Sequence, residues 1–130
     1  MTATDTSTHV DPTPDQRPTF AIGHVSLTAA DVDTLYRFYN RLGFRSVARM
    51  GGLGILEMRG GTHLVVTEGP AGQGSLDLMV DDLEAIHRLF VELDTEPTDI
   101  VEGFPHSRFV VPDPEGNRLV VQSSHVAGPV

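Results

Sequence analysis

"GHVSLTAADVDTLYRFYNRL", Gly23 to Leu42, and "GSLDLMVDDLEAIHRLFVEL", Gly74 to Leu93, carry the same pattern twice. A shift of 51 residues lays Gly23 on Gly74, Leu27 on Leu78, Asp31 on Asp82, Arg37 on Arg88 and Leu42 on Leu93, without a gap. Each copy opens with alternation. Val25 and Leu27 interleave with His24, Ser26 and Thr28, the period of a strand with one covered face. A helix follows. Asp31 is placed to cap it, and Val32, Leu35, Phe38, Tyr39 and Leu42 form an apolar stripe that Gly43 ends.

After the first copy come "FRSVARM", "LGILEMR" and "THLVVTE", read as strands separated by Gly51-Gly52 and Gly60-Gly61. After the second come a strand near Ile100, then "SRFVV", the acidic turn Asp113-Pro114-Glu115-Gly116-Asn117, and "NRLVVQS". The expectation is an α+β fold of two βαβββ modules, residues 20–69 and 74–124, related by a pseudo-twofold axis and curving around a cleft. Residues 1–18 are Thr, Asp and Pro with almost nothing to bury. They are expected to be a flexible tail preceding a single domain over 19–130, with His9 a stray tail histidine.

The formal charge is −9, and all nine cations are arginines. Such a surface repels phosphate backbones and anionic lipid, so neither nucleic acid nor membrane is expected as a partner. There is no cysteine, hence no disulfide, thiolate–zinc site or thiol nucleophile. No apolar run approaches the ~18 residues of a membrane span. The first nineteen residues have neither a basic n-region nor an apolar h-region, and the cytoplasm is the expected location.

The duplicated βαβββ pattern, with "GHVSL…D…FYNRLGF" and a closing "DPEGNRLVV", resembles the vicinal oxygen chelate superfamily. This group includes glyoxalase I, bleomycin-resistance proteins, fosfomycin-resistance enzymes and extradiol dioxygenases. The resemblance runs from about Phe20 to Ser124. It implies the fold closely and the function loosely, because isomerases, oxygenases, transferases and plain binders share it. It also implies that the acidic turn is a hairpin bend made by Pro114 and Gly116. Metal-dependent members take one ligand from each of four strands. Carried onto this chain, those positions fall on His24, Val65, Ser75 and Val120, so a carboxylate position is held by a hydrocarbon.

Strand alternation lists what else shares the cleft side. His63 and Asp77 each lie one pleat from a ligand position, and together with His24 they are a possible noncanonical site for one divalent ion: zinc, iron, nickel or manganese. The alternatives are a barrel-lining histidine hydrogen-bonded to Ser26 or a carbonyl for His24, a similar role for His63, and an ion pair with Arg118 for Asp77. Phe109, Arg118, Gln122 and Ser124 complete the expected ligand-binding set. His106, in the loop "GFPHSRF", and His125, after the last strand, are candidate proton donors or acceptors, or else solvated loop residues. His87 is read as a helix-packing residue and Glu57 as solvated at a strand edge.

Two functions compete. One is a homodimeric protein that holds a small organic molecule in its cleft with a degenerate metal site and no cofactor. The other is a metal-dependent lyase, isomerase or dioxygenase using His24, His63 and Asp77, with the ion as a Lewis acid. A metal-free enzyme working through its histidines is a third. The binder is the preferred reading.

Overall fold

A computed structural model describes residues 15–126 and 128–129. His9 and most of the expected tail lie outside the described residues. Those of it that are described, from Asp15 onward, are exposed, with an ion pair between Arg17 and Asp15 at 2.6 Å.

Strand β1 (His24–Ala29) leads into helix α1 (Val32–Leu42). Then come β2 (Arg45–Met50), β3 (Leu53–Glu57), a 3-10 turn at Arg59–Gly61 and β4 (His63–Glu68). The second module repeats this with β5 (Ser75–Val80), α2 (Leu83–Glu92), β6 (Arg108–Pro112) and β7 (Arg118–Ser123). The strands form a four-stranded sheet ordered β1-β4-β3-β2 and a three-stranded sheet ordered β5-β7-β6.

The 51-residue shift holds in three dimensions. β1 maps onto β5, and α1 onto α2. Asp31 and Asp82 cap the two helices with nearly the same backbone geometry, φ −121° and ψ 93° against φ −121° and ψ 90°. Each carboxylate accepts from the amide three residues on, Thr34 or Ala85. In both modules the first strand pairs in parallel with the last, His24 opposite His63 and Ser75 opposite Arg118.

One expected strand is missing from the second module. Near Ile100 there is only an isolated bridge, Val101 to Arg108. Pro97, Gly103 and Pro105 crowd this stretch, and proline cannot donate to a ladder.

The apolar sides of both sheets face the helices and merge into one core. Leu27, Ala29, Leu56, Leu64 and Val66 come from the first sheet, Leu76, Phe109, Val111, Leu119 and Val121 from the second. Between them, Phe38 of α1 meets Phe90 of α2 with ring centroids 6.1 Å apart. Helix α1 lies so close to β3 that a Cβ on Gly54 would sit 2.6 Å from the Tyr36 ring.

The modules also clasp each other reciprocally. Glu115, in the β6–β7 turn, accepts from the backbone N–H of Ala30 at 2.6 Å and of Asp31 at 3.3 Å, just before α1. Arg59, in the β3–β4 turn, reaches Asp81 at 3.0 Å, just before α2. Ala30 and Asp81 are equivalent under the 51-residue shift, so each module's turn holds the strand–helix junction of the other. The acidic turn is a bend, with Gly116 at φ 85°, and it is also part of this clasp. Asp113 is buried and accepts from the Tyr39 hydroxyl at 2.7 Å, from the N–H groups of Glu115 and Asn117, and from the Asn117 amide.

Candidate functional site

The helices cover one face of each sheet, so alternation leaves the other face open. On the first sheet this face carries His24, Ser26 and Thr28 of β1, His63, Val65 and Thr67 of β4, and Leu53, Ile55 and Glu57 of β3. On the second it carries Ser75, Asp77 and Met79 of β5, Arg118, Val120 and Gln122 of β7, and Val110 of β6. Each open face has an apolar centre made by a directly paired couple, Ile55 with Val65 and Val110 with Val120, all half-buried.

His24 and His63 are neighbours, with ring centroids 5.7 Å apart. Glu57 completes a polar group. Its Oε1 lies 2.9 Å from Nε2 of His63, and its Oε2 accepts from the Arg45 guanidinium. The Arg45 bond, and secondarily the one from His63, hold the Glu57 carboxyl below its ordinary value of 4.5. Glu57 is therefore no solvated edge residue. The hairpin is centred on Gly60, and in antiparallel pairing that centre sets residue 57 against residue 63. The turn and the alternation were both visible in the sequence, and together they contain this contact.

Asp77 stands apart from the two histidines, on the second sheet, where it accepts from Gln122 Nε2 at 2.6 Å. The expected partnership with Arg118 is not formed. In the β5–β7 register Asp77 faces Val120 and Arg118 faces Ser75, and it is Gln122, diagonal to Asp77, whose amide reaches it. Among the described residues Arg118 has no ion pair, and no three His, Cys, Asp or Glu side chains come together as a metal-holding group. The trio His24, His63 and Asp77 is not assembled within the chain.

The family's ligand positions do not fit a metal either. β4 maps onto β7 by a 55-residue shift, from His63 onto Arg118, which makes Val65 and Val120 equivalent and places both on open faces. A divalent ion there would meet one imidazole, one hydroxyl and two isopropyl groups, which is too few donors.

Phe109 belongs to the core and not to the ligand-binding set. It is 1% exposed, packed edge-on against His87 at 4.8 Å and Phe90 at 5.8 Å, because β6 turns its odd-numbered residues toward α2. His87 packs against the helix-side core and donates through Nε2 to the Thr98 carbonyl at 2.8 Å. His106 and His125 are brought together, with ring centroids 4.6 Å apart. His106 donates through Nδ1 to the Ser123 carbonyl at 2.9 Å, which leaves Nε2 as an acceptor in the neutral ring. This pair sits where β7 finishes, in the second sheet, whereas His24 and His63 begin β1 and β4 in the first. Ser124 follows β7 and accepts from the Val126 N–H at 3.3 Å.

Two cavities, of about 350 and 400 Å³, lie at the starts of α2 and α1, lined by Asp82 with Glu84 and by Asp31 with Asp33. They are pseudo-equivalent, and neither includes any expected site residue.

The fold is shared with known structures. A lactoylglutathione lyase from Agrobacterium tumefaciens superposes with TM-score 0.72 at 21% identity, over 87% of this chain and all of that one. A bleomycin resistance determinant encoded on transposon Tn5 gives 0.68 at 25% identity, over 82% of this chain and all of that one. TnmS3, an antibiotic-binding protein from a Streptomyces species, gives 0.73 at 20% identity, over 83% of this chain and 98% of that one. No protein-family model and no curated protein matches the chain. The chain has the fold of the vicinal oxygen chelate superfamily, the glyoxalase and bleomycin-resistance fold.

Proposed function

We propose that this protein is a homodimer that binds a small organic molecule against the open faces of its sheets, with no metal at the family's position. One observation carries the reading: Val65 and Val120 occupy equivalent open-face positions where a metal site requires donors. The apolar centres Ile55–Val65 and Val110–Val120 offer contact area to a ligand, and the polar groups beside them offer orientation. Two structural neighbours, an antibiotic-binding protein and a bleomycin resistance determinant, support the same class of role. Pairing two chains would cover open faces that a single chain leaves exposed, such as Met79 at 41%.

Two measurements on the full-length protein test this. Light scattering at micromolar concentration should report about twice the 14.1 kDa chain mass; a stable monomer defeats the dimer. Elemental analysis of protein purified without added metal should give well under one equivalent of zinc, nickel, iron or manganese. Stoichiometric metal that disappears in both His24→Ala and His63→Ala would replace the binder with a metal-dependent lyase, isomerase or dioxygenase. Stoichiometric metal indifferent to both substitutions would place a metal site elsewhere and remove the argument from Val65 and Val120.

A further inference from the structure

The polar group on the first sheet is a straight row. His24 pairs with His63, His63 with Glu57, and Glu57 with Arg45, so four adjacent strands each present one polar side chain at the same level. Backbone register therefore holds the row in place. Both Glu57 oxygens are engaged, one by Arg45 and one by His63. An ionised carboxylate only accepts, so the His63 proton facing it is on Nε2. In the neutral ring Nδ1 is then an acceptor of fixed orientation, and it has no hydrogen-bond partner among the described residues. One pleat along from Glu57 and His63 is the Ile55–Val65 couple. His63 and Glu57 are themselves sheltered, at 29% and 22% side-chain exposure.

We infer that this row reads a weakly acidic hydroxyl on a planar apolar ligand, a phenol or an enol, with the ring lying on Ile55 and Val65 and the hydroxyl meeting Nδ1 of His63. The inference rests on the proposal that the open face binds a small molecule, and it adds the chemical class. A carboxylic acid arrives already ionised. It would present lone pairs to a lone pair beside the Glu57 carboxylate, on a protein of net charge −9. An aliphatic alcohol can donate to Nδ1 but holds its proton too firmly to give it up. A phenol arrives neutral and donates more strongly to Nδ1, and one about as acidic as imidazolium passes its proton across that bond. The O–H bond breaks, the Nδ1–H bond forms, and the electron pair remains on the ligand oxygen. The imidazolium then lies between the phenolate and Glu57, which Arg45 balances. His63 is the proton acceptor, and Glu57 and Arg45 are positioning residues that fix its tautomer. His24, at the end of the row, lies edge-on to the same ring.

The test uses the full-length protein with two probes of the same shape, p-nitrophenol and its methyl ether, 4-nitroanisole. Calorimetry measures binding, and visible absorbance reports the phenolate. Below the pH at which free p-nitrophenol ionises, wild type should develop the yellow phenolate band in proportion to bound probe. It should bind the ether at least about tenfold more weakly, as expected for loss of a charge-assisted hydrogen bond. His63→Gln should abolish the yellow band, and Glu57→Gln should weaken phenol binding by about tenfold while leaving ether binding unchanged. Equal binding of the two probes, or a yellow band that survives His63→Gln, overturns the inference but leaves small-molecule binding standing. If neither probe binds, both readings fail. Nitrogen-15 NMR of wild type needs no variant. It should show His63 as the Nε2–H tautomer, and finding the Nδ1–H tautomer overturns the row.

Discussion

Tyr39 and Asp113 are 74 residues apart in the chain and belong to different modules, yet the hydroxyl and the carboxylate meet at 2.7 Å inside the core. Tyr39 and Asn117 are 0% exposed and Asp113 is 4% exposed, so nothing in this cluster can fall back on solvent. Tyr39→Phe removes one charge-assisted hydrogen bond and leaves the carboxylate its remaining donors. The expected loss is about 1.5–2 kcal/mol, the low end for a bond to a charged group. Asp113→Ala orphans the Tyr39 hydroxyl, two backbone N–H groups and the Asn117 side-chain amide together, and should cost about 3–5 kcal/mol at ~1–3 per buried unsatisfied group with partial relaxation. Asp113→Asn keeps the shape but turns a donor toward donors, which suits a double-mutant cycle with Tyr39→Phe. The coupling should reach about 1 kcal/mol or more. Equilibrium urea unfolding is the assay, with an unchanged slope confirming that only the midpoint moves. Burial first, and then the Asp113 charge, push the Tyr39 hydroxyl well above its ordinary value of 10. Its folded value is raised, so the stability it contributes is whole below pH 10 and declines as pH rises beyond it. Wild type should therefore lose stability faster than Tyr39→Phe in that alkaline range. A Tyr39→Phe protein within about 0.5 kcal/mol of wild type, or a coupling energy near zero, would refute the claim that this contact fastens one module to the other.

Gly54→Ala should destabilise by about 1–3 kcal/mol, because its Cβ would lie 2.6 Å from a Tyr36 ring that is itself buried; thermal unfolding would show this as a fall of several degrees. Glu57→Gln should lower the melting temperature at neutral pH. The folded carboxyl is held below its ordinary value of 4.5, so its contribution is present above that value and lost as pH falls through the lowered one; the gap between variant and wild type should therefore close in acid, and a gap that persists at every pH would show that the charge is not what matters. Deleting residues 1–18 should leave the melting temperature within a degree or two, since so polar a stretch has little surface with which to dock.

What was legible in the sequence tracks which face of a sheet a residue occupies. The helix-side pattern repeats at a fixed interval because the same packing problem is solved twice. Val32, Leu35 and Phe38 must cover one sheet as Leu83, Ile86 and the neighbouring Phe90 cover the other, and the two capping aspartates start both solutions at the same place. The strand near Ile100 failed this logic because it lies beyond the repeated stretch, where proline and glycine override the pattern. Phe109 was misplaced for a different reason: which face a strand turns inward follows from its register against a neighbour, and for β6 no motif announced that register. Asp113 and Glu115 looked like a bend because local turn chemistry explains them fully. Their second role, holding α1 from 74 and more residues away, has no local signature.

The open faces follow a different constraint, and this is what makes them informative. Nothing in the chain's own core requires His24, His63, Glu57 and Arg45 to share one level of the first sheet, since the helix-side residues of the same strands, Leu64 and Leu56 among them, already complete the packing. A row of charged and titratable groups on a face that folding leaves uncovered adds little stability. Nor are the faces uniformly polar, as a solvated face would be. Ile55, Val65, Val110 and Val120 place hydrocarbon at their centres, where a soluble chain usually carries polar residues. Hydrocarbon centres without metal donors, one of them bordered by the His63–Glu57 pair, are accounted for together if the faces are meant to be covered by a partner chain and a bound molecule. They are not accounted for by folding alone.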